Sequence, residues 1–207
     1  MKVRKRSRSK TLAEIFIDDV IWGILPLRVL HFFLDQNQQE KELSESEISE
    51  LKDKLRSYNW RKFLNYLAYK ERSVRQSIFY LRKLNLHNSL IDEFIEKARR
   101  LNYLNDARFA ELYVESLINK KKSYREIYNK LRINGISEDS IAELLGSMYP
   151  HELQRSLLRQ EIEKQLTRIS KLKIEKKREK ILIKLTRKGF KYEDIRDLLR
   201  ELLPDRS

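Results

Sequence analysis

Apolar residues recur with the period of an α-helix along most of this chain. In residues 108–120 they lie three and four positions apart, on one stripe that we expect to be buried. This stripe consists of Phe109, Leu112, Tyr113 and Leu117. The same spacing predicts two further helices of this kind, Trp60–Lys70 and Leu153–Leu172. The pattern therefore indicates a largely helical protein.

The first 57 residues have a different pattern. The segment from Glu14 to Leu25 is β-branched and aromatic around the pair Asp18–Asp19. Such a run favours a short β-hairpin with the two aspartates at its turn. A serine, Ser44 or Ser46, then precedes an amphipathic segment that reaches Leu55, which predicts a capped helix.

The rest of the chain contains three copies of one unit. Residues 125–145 align without gaps with residues 179–199, and more loosely with residues 75–95. Each copy has a helix-ending residue at the same place, and these residues are Asn85, Gly135 and Gly189. Glycine and asparagine tolerate the left-handed conformation that ends many helices. Each copy is therefore interpreted as a first helix followed by two helices joined at this residue.

The second helix of the middle copy has a predicted start signal. Ser123 and Glu126 are three residues apart, the spacing of a capping box in which the hydroxyl and the carboxylate each accept a backbone hydrogen bond. The equivalent pairs are Ser73 with Gln76 in the first copy and Lys177 with Lys180 in the third, where the cap is lost.

These patterns predict an all-α fold with four segments. The fold is expected to consist of tandem three-helix repeats, similar to helix–turn–helix units, in an elongated array. The first segment, residues 1–57, is a basic tail with a small module of β-hairpin and helix. The first, second and third repeats then span residues 58–102, 103–150 and 151–207. Units of this size are marginal alone, so stacking is expected to stabilise them.

The charge is strongly positive and unevenly distributed. The formal net charge is +14. Residues 151–189 contain 13 basic and five acidic residues, and residues 1–13 contain six basic residues and no acid. This imbalance favours a polyanionic partner or an acidic protein surface. So dense a basic run at the N-terminus is expected to be disordered.

The sequence offers no constellation that supports catalysis or a cofactor. There is no cysteine, and the histidines His31, His87 and His151 share no ligand spacing. The glycines occur singly, so no phosphate-binding loop is expected. The longest apolar run, from Val20 to Leu34, is interrupted by Arg28 and is shorter than the roughly 20 residues that span a bilayer. We therefore expect a non-enzymatic binding protein without metal, cofactor or membrane anchor.

The candidate binding residues are basic positions around the second helix of each repeat. They are Arg72, Arg75, Arg82 and Lys83 in the first repeat; Lys120, Lys121, Lys122, Arg125, Lys130 and Arg132 in the second; and Lys176, Lys177, Arg178, Lys184, Arg187 and Lys188 in the third. Their recurrence suits contact with a phosphate backbone. Aromatic residues lie among these cations. We expect five of them to be core residues, namely Phe79, Tyr80, Tyr128, Phe190 and Tyr192. We do not expect this of Tyr124.

The middle repeat resembles a known family. Asp106, Arg108, Phe109 and Ala110 form an Asp-x-Arg-Phe-Ala element, and a Ser-x-x-Glu-Ile-x-x-Lys-Leu segment begins at Ser123. With the tandem repeats, these elements resemble the RecX family, bacterial regulators of the RecA recombinase. The first repeat matches more loosely, through Arg72, Ser73 and Leu81, and the third repeat has no equivalent of the Asp-x-Arg-Phe element. The signature and structural residues are Asp106, Arg108, Phe109, Ala110, Ser123, Glu126, Gly135 and Gly189.

The resemblance implies a helical, cytoplasmic protein that acts as a monomer in the groove of a RecA filament on single-stranded DNA. Its family modulates filament growth and RecA activity, and so acts in recombination, DNA repair and the SOS response. Two alternatives remain open at the level of sequence: a helix–turn–helix repeat protein that binds DNA directly without RecA, and a helical scaffold. We also expect Asp106 and Arg108 to form a local ion pair at the seam between two repeats.

Overall fold

The computed structural model describes residues 1–35 and 37–204. The N-terminal part is an antiparallel sheet with strand order β3-β2-β1-β4. Its strands are β1 Lys2–Ser7, β2 Leu12–Ile17, β3 Val20–Pro26 and β4 Glu40–Glu42. The predicted hairpin is confirmed as β2–β3, with Asp18 and Asp19 at the turn in left-handed conformation, at φ 46° and 62°.

The prediction that the basic N-terminal run is disordered is wrong, because that run is strand β1. Successive residues of a strand point to opposite faces. Val3 and Lys5 are buried, and the Lys5 Nζ donates to the Asp35 carbonyl at 2.8 Å. Arg4 and Arg6 stand over the ring of Phe16, 4.4 and 5.3 Å from its centroid.

Helices make up the chain beyond this sheet. They are α1 Leu27–Leu30, α2 Glu45–Tyr69, α3 Val74–Lys83, α4 Asn88–Arg100, α5 Asp106–Asn119, α6 Tyr124–Ile133, α7 Glu138–Met148, α8 His151–Arg168, α9 Ile174–Arg187 and α10 Tyr192–Leu202. The predicted all-α class with a small N-terminal module is confirmed. In the part of the chain that the structure describes, no helix is long and apolar enough to cross a membrane.

Helix α2 corrects the prediction of two separate helices, one reaching Leu55 and one over Trp60–Lys70. It is continuous for 25 residues and begins with a reciprocal capping box between Ser44 and Glu47. Asn59 interrupts the apolar stripe but is fully buried. Its amide nitrogen donates to the carbonyls of Ile24 and Leu55 at 2.9 and 2.8 Å, so a tertiary contact gives this buried donor one of its two acceptors.

The chain divides into two compact units, Met1–Asp106 and Ala107–Ser207. In the first unit, one core lies between the sheet, α1 and α2, and a second lies among α2, α3 and α4. In the second unit, one core joins α5, α6 and α7, and the other joins α8, α9 and α10. Leu112, which we placed on the buried stripe, is 49% exposed, so that stripe is narrower than predicted.

The same turn ends the second helix of each repeat. Asn85, Gly135 and Gly189 have φ of 54°, 88° and 85°, which confirms their predicted left-handed conformation. The amides of Leu86, Ile136 and Phe190 then donate back to the carbonyls of Leu81, Leu131 and Leu185, at 3.5, 3.2 and 3.2 Å. This is the Schellman arrangement, in which an apolar residue after the turn covers the helix end.

The predicted helix starts are confirmed in part. The hydroxyls of Ser73 and Ser123 accept hydrogen bonds from the third residue of their helices. The reciprocal bond predicted at Ser123 is replaced, since the Glu126 carboxylate lies 3.0 Å from the Lys122 Nζ. Helix α9 has no side-chain cap and begins at Ile174, about one turn before the predicted start.

We predict that Gly189→Ala lowers the free energy of unfolding by at least about 1–2 kcal/mol, the cost of a side chain in left-handed conformation. A Cβ at this position would also lie 2.8 Å from the Ser123 Oγ. The control is Gly146→Ala in α7, where a Cβ meets nothing within 4 Å and helix propensity should increase stability by about 0.5–1 kcal/mol. Urea denaturation of both variants measures the difference. Equal stabilities would contradict this account.

Candidate functional site

The second helix of each repeat is basic. Helix α3 contains three basic residues and no acid, α6 three basic and one acidic residue, and α9 six basic and two acidic residues. Many of the predicted contact residues are exposed on or beside these helices, namely Arg75, Arg82, Lys83, Lys120, Arg125, Arg132, Lys176, Lys184, Arg187 and Lys188. Arg72, Lys121, Lys122, Lys130, Lys177 and Arg178 are half-buried.

The third helix of each repeat is neutral or acidic. Helix α7 has three acidic residues and no basic one, α10 has four acidic and two basic residues, and α4 has three of each. In DNA-binding helix–turn–helix proteins, the helix after the turn enters the major groove. An acidic helix in that place would be repelled by phosphates. The basic charge of this protein is therefore concentrated on the other helix of the pair.

The second unit brings predicted residues of two different repeats together. A groove of about 520 Å³ lies between α6 and the turn after α9. Arg125, Arg187 and Lys188 line it, together with Glu126 and with two polar residues that are not among the predicted contacts, Asn129 and Thr186. Two guanidinium groups, an amide and a hydroxyl form a set of donors that suits a phosphate or a carboxylate.

Two features bring α6 and the turn after α9 close together at the base of this groove. Gly189 has no side chain, which allows the turn after α9 to approach Ser123 and Arg125. The Ser123 Oγ donates to the Lys188 carbonyl at 2.7 Å and accepts from the Glu126 amide at 3.2 Å. Ser123 is therefore both the cap of α6 and the link between the two repeats of this unit.

The turn before α6 contains three successive lysines, and a hydrogen bond from a buried tyrosine holds it in place. The hydroxyl of Tyr149 donates to the Lys122 carbonyl at 2.8 Å. Tyr149 is 1% exposed, and burial raises the pKa of its hydroxyl to about 12. The hydroxyl therefore stays protonated and remains a donor at any physiological pH. Lys121 has φ of 53°, a backbone conformation that residues other than Gly and Asn seldom adopt.

Lys188 forms an ion pair inside this site. Its Nζ lies 2.6 Å from the Glu161 carboxylate, which is 5% exposed. Burial raises the pKa of Glu161, but the hydrogen bond and the charge of Lys188 outweigh burial and hold this pKa below its ordinary value. Lys188 therefore stabilises the fold as well as contributing charge to the groove.

Other predicted cations also have contacts within their own unit. Lys184 donates to the Gln165 side chain at 2.6 Å, and Arg178 donates to the Leu203 carbonyl. Arg72 and Lys83 stand over the rings of Tyr66 and Phe79, at 4.2 and 4.5 Å. Within residues 1–35 and 37–204, no carboxylate lies within 4 Å of Arg75, Arg82, Lys120, Arg125, Arg132, Lys176 or Arg187.

The aromatic residues near these cations divide into two groups. Phe190 is buried, as predicted, and Tyr80 and Tyr128 are half-buried. The prediction that Phe79 and Tyr192 are core residues is wrong, because they are 61% and 48% exposed. Phe79 lies on the outer face of α3, where it packs under Lys83 rather than into the core.

Three of the signature residues, Asp106, Phe109 and Ala110, make contacts within the fold. Phe109 and Ala110 are buried in the second unit. The carboxylate of Asp106 accepts from the Val74 amide at 2.9 Å, so it contacts the start of α3; the ion pair with Arg108 stays a prediction. A carboxylate at this place satisfies a backbone donor that the helix leaves free.

We predict that Asp106→Ala lowers the free energy of unfolding by about 0.5–2 kcal/mol, because the Val74 amide loses its acceptor. Asp106→Asn keeps a side-chain oxygen and should lose less. Thermal unfolding followed by circular dichroism compares the two. Equal losses, or none, would show that this bond does not stabilise α3.

We also predict a pH dependence for the ion pair of Glu161. A carboxyl whose pKa is lowered by folding stabilises the protein above its unfolded pKa, near 4.5, and this contribution is lost as the pH falls through the folded value. Glu161→Gln should therefore lower the free energy of unfolding by about 1–3 kcal/mol at neutral pH. The loss should shrink below the unfolded pKa.

Urea denaturation at about pH 7 and about pH 3 measures this difference. The control is Glu163→Gln, at an exposed position on the same helix, which should change stability by less than about 0.5 kcal/mol. A loss in Glu161→Gln that is the same at both pH values would rule out the ion pair as its cause.

Comparison with known proteins identifies relatives over nearly the whole chain. A family model described as RecX, second three-helix domain, matches residues 105–145. The regulatory protein RecX of Listeria monocytogenes (strain EGD-e) is 30% identical over 191 residues, which cover 91% of this chain and 70% of that protein. The regulatory protein RecX of Bacillus pumilus is 28% identical over 203 residues, which cover 97% of this chain and 76% of that protein.

Solved structures agree with these relatives. RecX from Lactobacillus salivarius is 32% identical with a TM-score of 0.62, over 71% of this chain and 96% of that one. A second crystal structure, of a regulatory protein RecX, covers 99% of this chain and 100% of its own at a TM-score of 0.64 and 22% identity, and it supports the fold alone. The chain belongs to the RecX family of regulatory proteins.

Proposed function

We propose that this protein is a non-enzymatic regulator of the RecA recombinase. It binds the filament that RecA forms on single-stranded DNA and lowers filament assembly, ATP hydrolysis and strand exchange. Family membership supports a regulatory role, and the family resemblance described above makes the RecA filament the proposed partner. Because such filaments form in the bacterial cytoplasm, we place the protein there, acting as a monomer.

The observation that carries this proposal is the groove between α6 and the turn after α9. It joins the exposed guanidinium groups of Arg125 and Arg187 from two repeats. Glu126 also lines the groove, but its carboxylate pairs with Lys122 and Lys130, and among described residues neither arginine has a carboxylate within 4 Å. Unpaired cations bind a polyanion without first breaking an internal ion pair. We propose that the groove contacts phosphates of the filament DNA or acidic side chains of RecA.

The other basic residues extend this contact in the proposal. We treat residues 58–102, 103–150 and 151–207 as three binding units, each contributing its second helix. Of the cations selected from the sequence, those that are exposed without a carboxylate nearby are the proposed contacts. Those with strong internal partners, such as Arg178 and Lys188, have a second role in stability.

The rival function is direct binding to duplex DNA without RecA. The acidic α7 and α10 oppose the usual entry of the third helix into the major groove. Salt dependence also separates the two functions. A protein that binds naked DNA through several phosphates shows log K falling with log salt by about 0.7–0.9 per contact. A filament regulator should bind naked DNA weakly.

We predict that the purified protein slows ATP hydrolysis by RecA on single-stranded DNA at substoichiometric amounts. Arg125→Glu should need about tenfold more protein for half-maximal inhibition, because it removes one charge-assisted contact and adds a repulsive charge. Arg28→Glu is the matched control. It makes the same charge change at an exposed residue outside the three repeats and should leave inhibition unchanged.

Lack of inhibition by the unmodified protein at equimolar amounts would contradict the proposed function. Equal effects of Arg125→Glu and Arg28→Glu would leave the proposed function standing but would rule out the groove as its contact surface. Net charge alone would then explain the loss of inhibition.

A further inference from the structure

A second groove, between α8 and α9, has a different chemistry from the first. Its volume is about 470 Å³, within the range of roughly 300–1,000 Å³ that ligand pockets occupy. Three isoleucines form its apolar part, Ile169, Ile181 and Ile183. Three cations stand around it, and these are Lys180, Lys184 and Arg187.

The apolar part of this groove is open to water. Ile181 is buried and belongs to the core, whereas Ile183 on the same helix is 46% exposed. The position equivalent to Ile183 in the first repeat is Phe79, which is 61% exposed and also lies beside a lysine. Two repeats therefore keep a large apolar side chain at one solvent-facing position of the second helix, where burial would be expected to stabilise it.

The cations around the groove are not neutralised by neighbouring acids. Lys184 donates to the neutral side chain of Gln165 at 2.6 Å, and not to an acid. Within the described residues, no carboxylate lies within 4 Å of Lys180 or Arg187. An apolar floor under unpaired positive charge suits a ligand that is apolar at its centre and acidic at its edge.

The lining also distinguishes a protein ligand from a nucleic acid. A phosphate gains nothing from a hydrocarbon wall, because it is strongly hydrated. Bases bind single-strand proteins mainly by stacking on aromatic rings, and the residues that line this groove include no aromatic one. An aliphatic wall is instead suited to an aliphatic or aromatic side chain of a protein.

We propose that the groove of Ile169, Ile181 and Ile183 receives a large apolar side chain from an acidic segment of the partner protein. Its cations pair with the acidic residues that flank that side chain. The identification of the partner as RecA rests on the proposed function, whereas the chemistry of the groove does not. Arg187 borders both grooves, so the protein contact lies directly beside the contact for phosphate or carboxylate.

The first test uses 8-anilinonaphthalene-1-sulfonate, which combines aromatic rings with an anionic group. It should bind saturably with increased fluorescence, and Ile183→Asp should weaken binding at least tenfold. Leu112→Asp is the matched control, because Leu112 is 49% exposed in the same unit but outside the groove. Circular dichroism confirms that both variants fold. Absent binding, or equal binding by both variants, would overturn the assigned chemistry.

The second test uses RecA assembled on oligo(dT) with a non-hydrolysed ATP analogue. Ile183→Asp should bind this filament at least tenfold more weakly than the unmodified protein and Leu112→Asp do, while the affinity of all three for free oligo(dT) stays within twofold. An unchanged filament affinity, or a parallel loss on free oligo(dT), would overturn the protein contact. If the unmodified protein does not bind the filament, the proposed function fails, and the first test alone decides the chemistry of the groove.

Discussion

The left-handed turn after each second helix is the constraint on which the repeats depend. Asn85, Gly135 and Gly189 adopt the left-handed conformation, which ends the helix. The amide of the next residue, which is apolar, then donates to a carbonyl of the last helical turn. This geometry lets the third helix pack against the second in the core of each repeat. At Gly189 the turn has a further task, because the missing side chain admits Ser123 and so joins two repeats of the second unit.

Much of the fold follows from short-range patterns in the sequence. The helical stripes, the serine caps and the turn residues each specify a local conformation, and these predictions succeeded at most positions. Two of the failures occurred where a contact distant in sequence decides the outcome. Strand β1 resembles a charged tail because four of its six residues are basic, yet pairing with β2 orders it. Helix α2 continues through Asn59, whose buried amide nitrogen donates to the Ile24 carbonyl.

The site was predictable only as a set of residue types. Repeat alignment located the basic second helices, but it gave no means to tell exposed cations from those with structural contacts. Arg125 and Arg187 are 62 positions apart, and only the approach of Gly189 to Ser123 brings their segments together. Asn129, Thr186 and Ile183 carry no signal in a single sequence, since a polar or apolar residue on a helix is ordinary without its surroundings.

Lys121 shows that charge and backbone preference conflict in the turn before α6. A lysine at φ of 53° costs about 1–2 kcal/mol relative to glycine, so this turn is less stable than it would be with glycine. Replacement by glycine would remove the charge and strengthen the fold together. Weaker partner binding by such a variant could not be attributed to unfolding. A substitution in this turn therefore distinguishes the effect of charge on binding from the effect of stability.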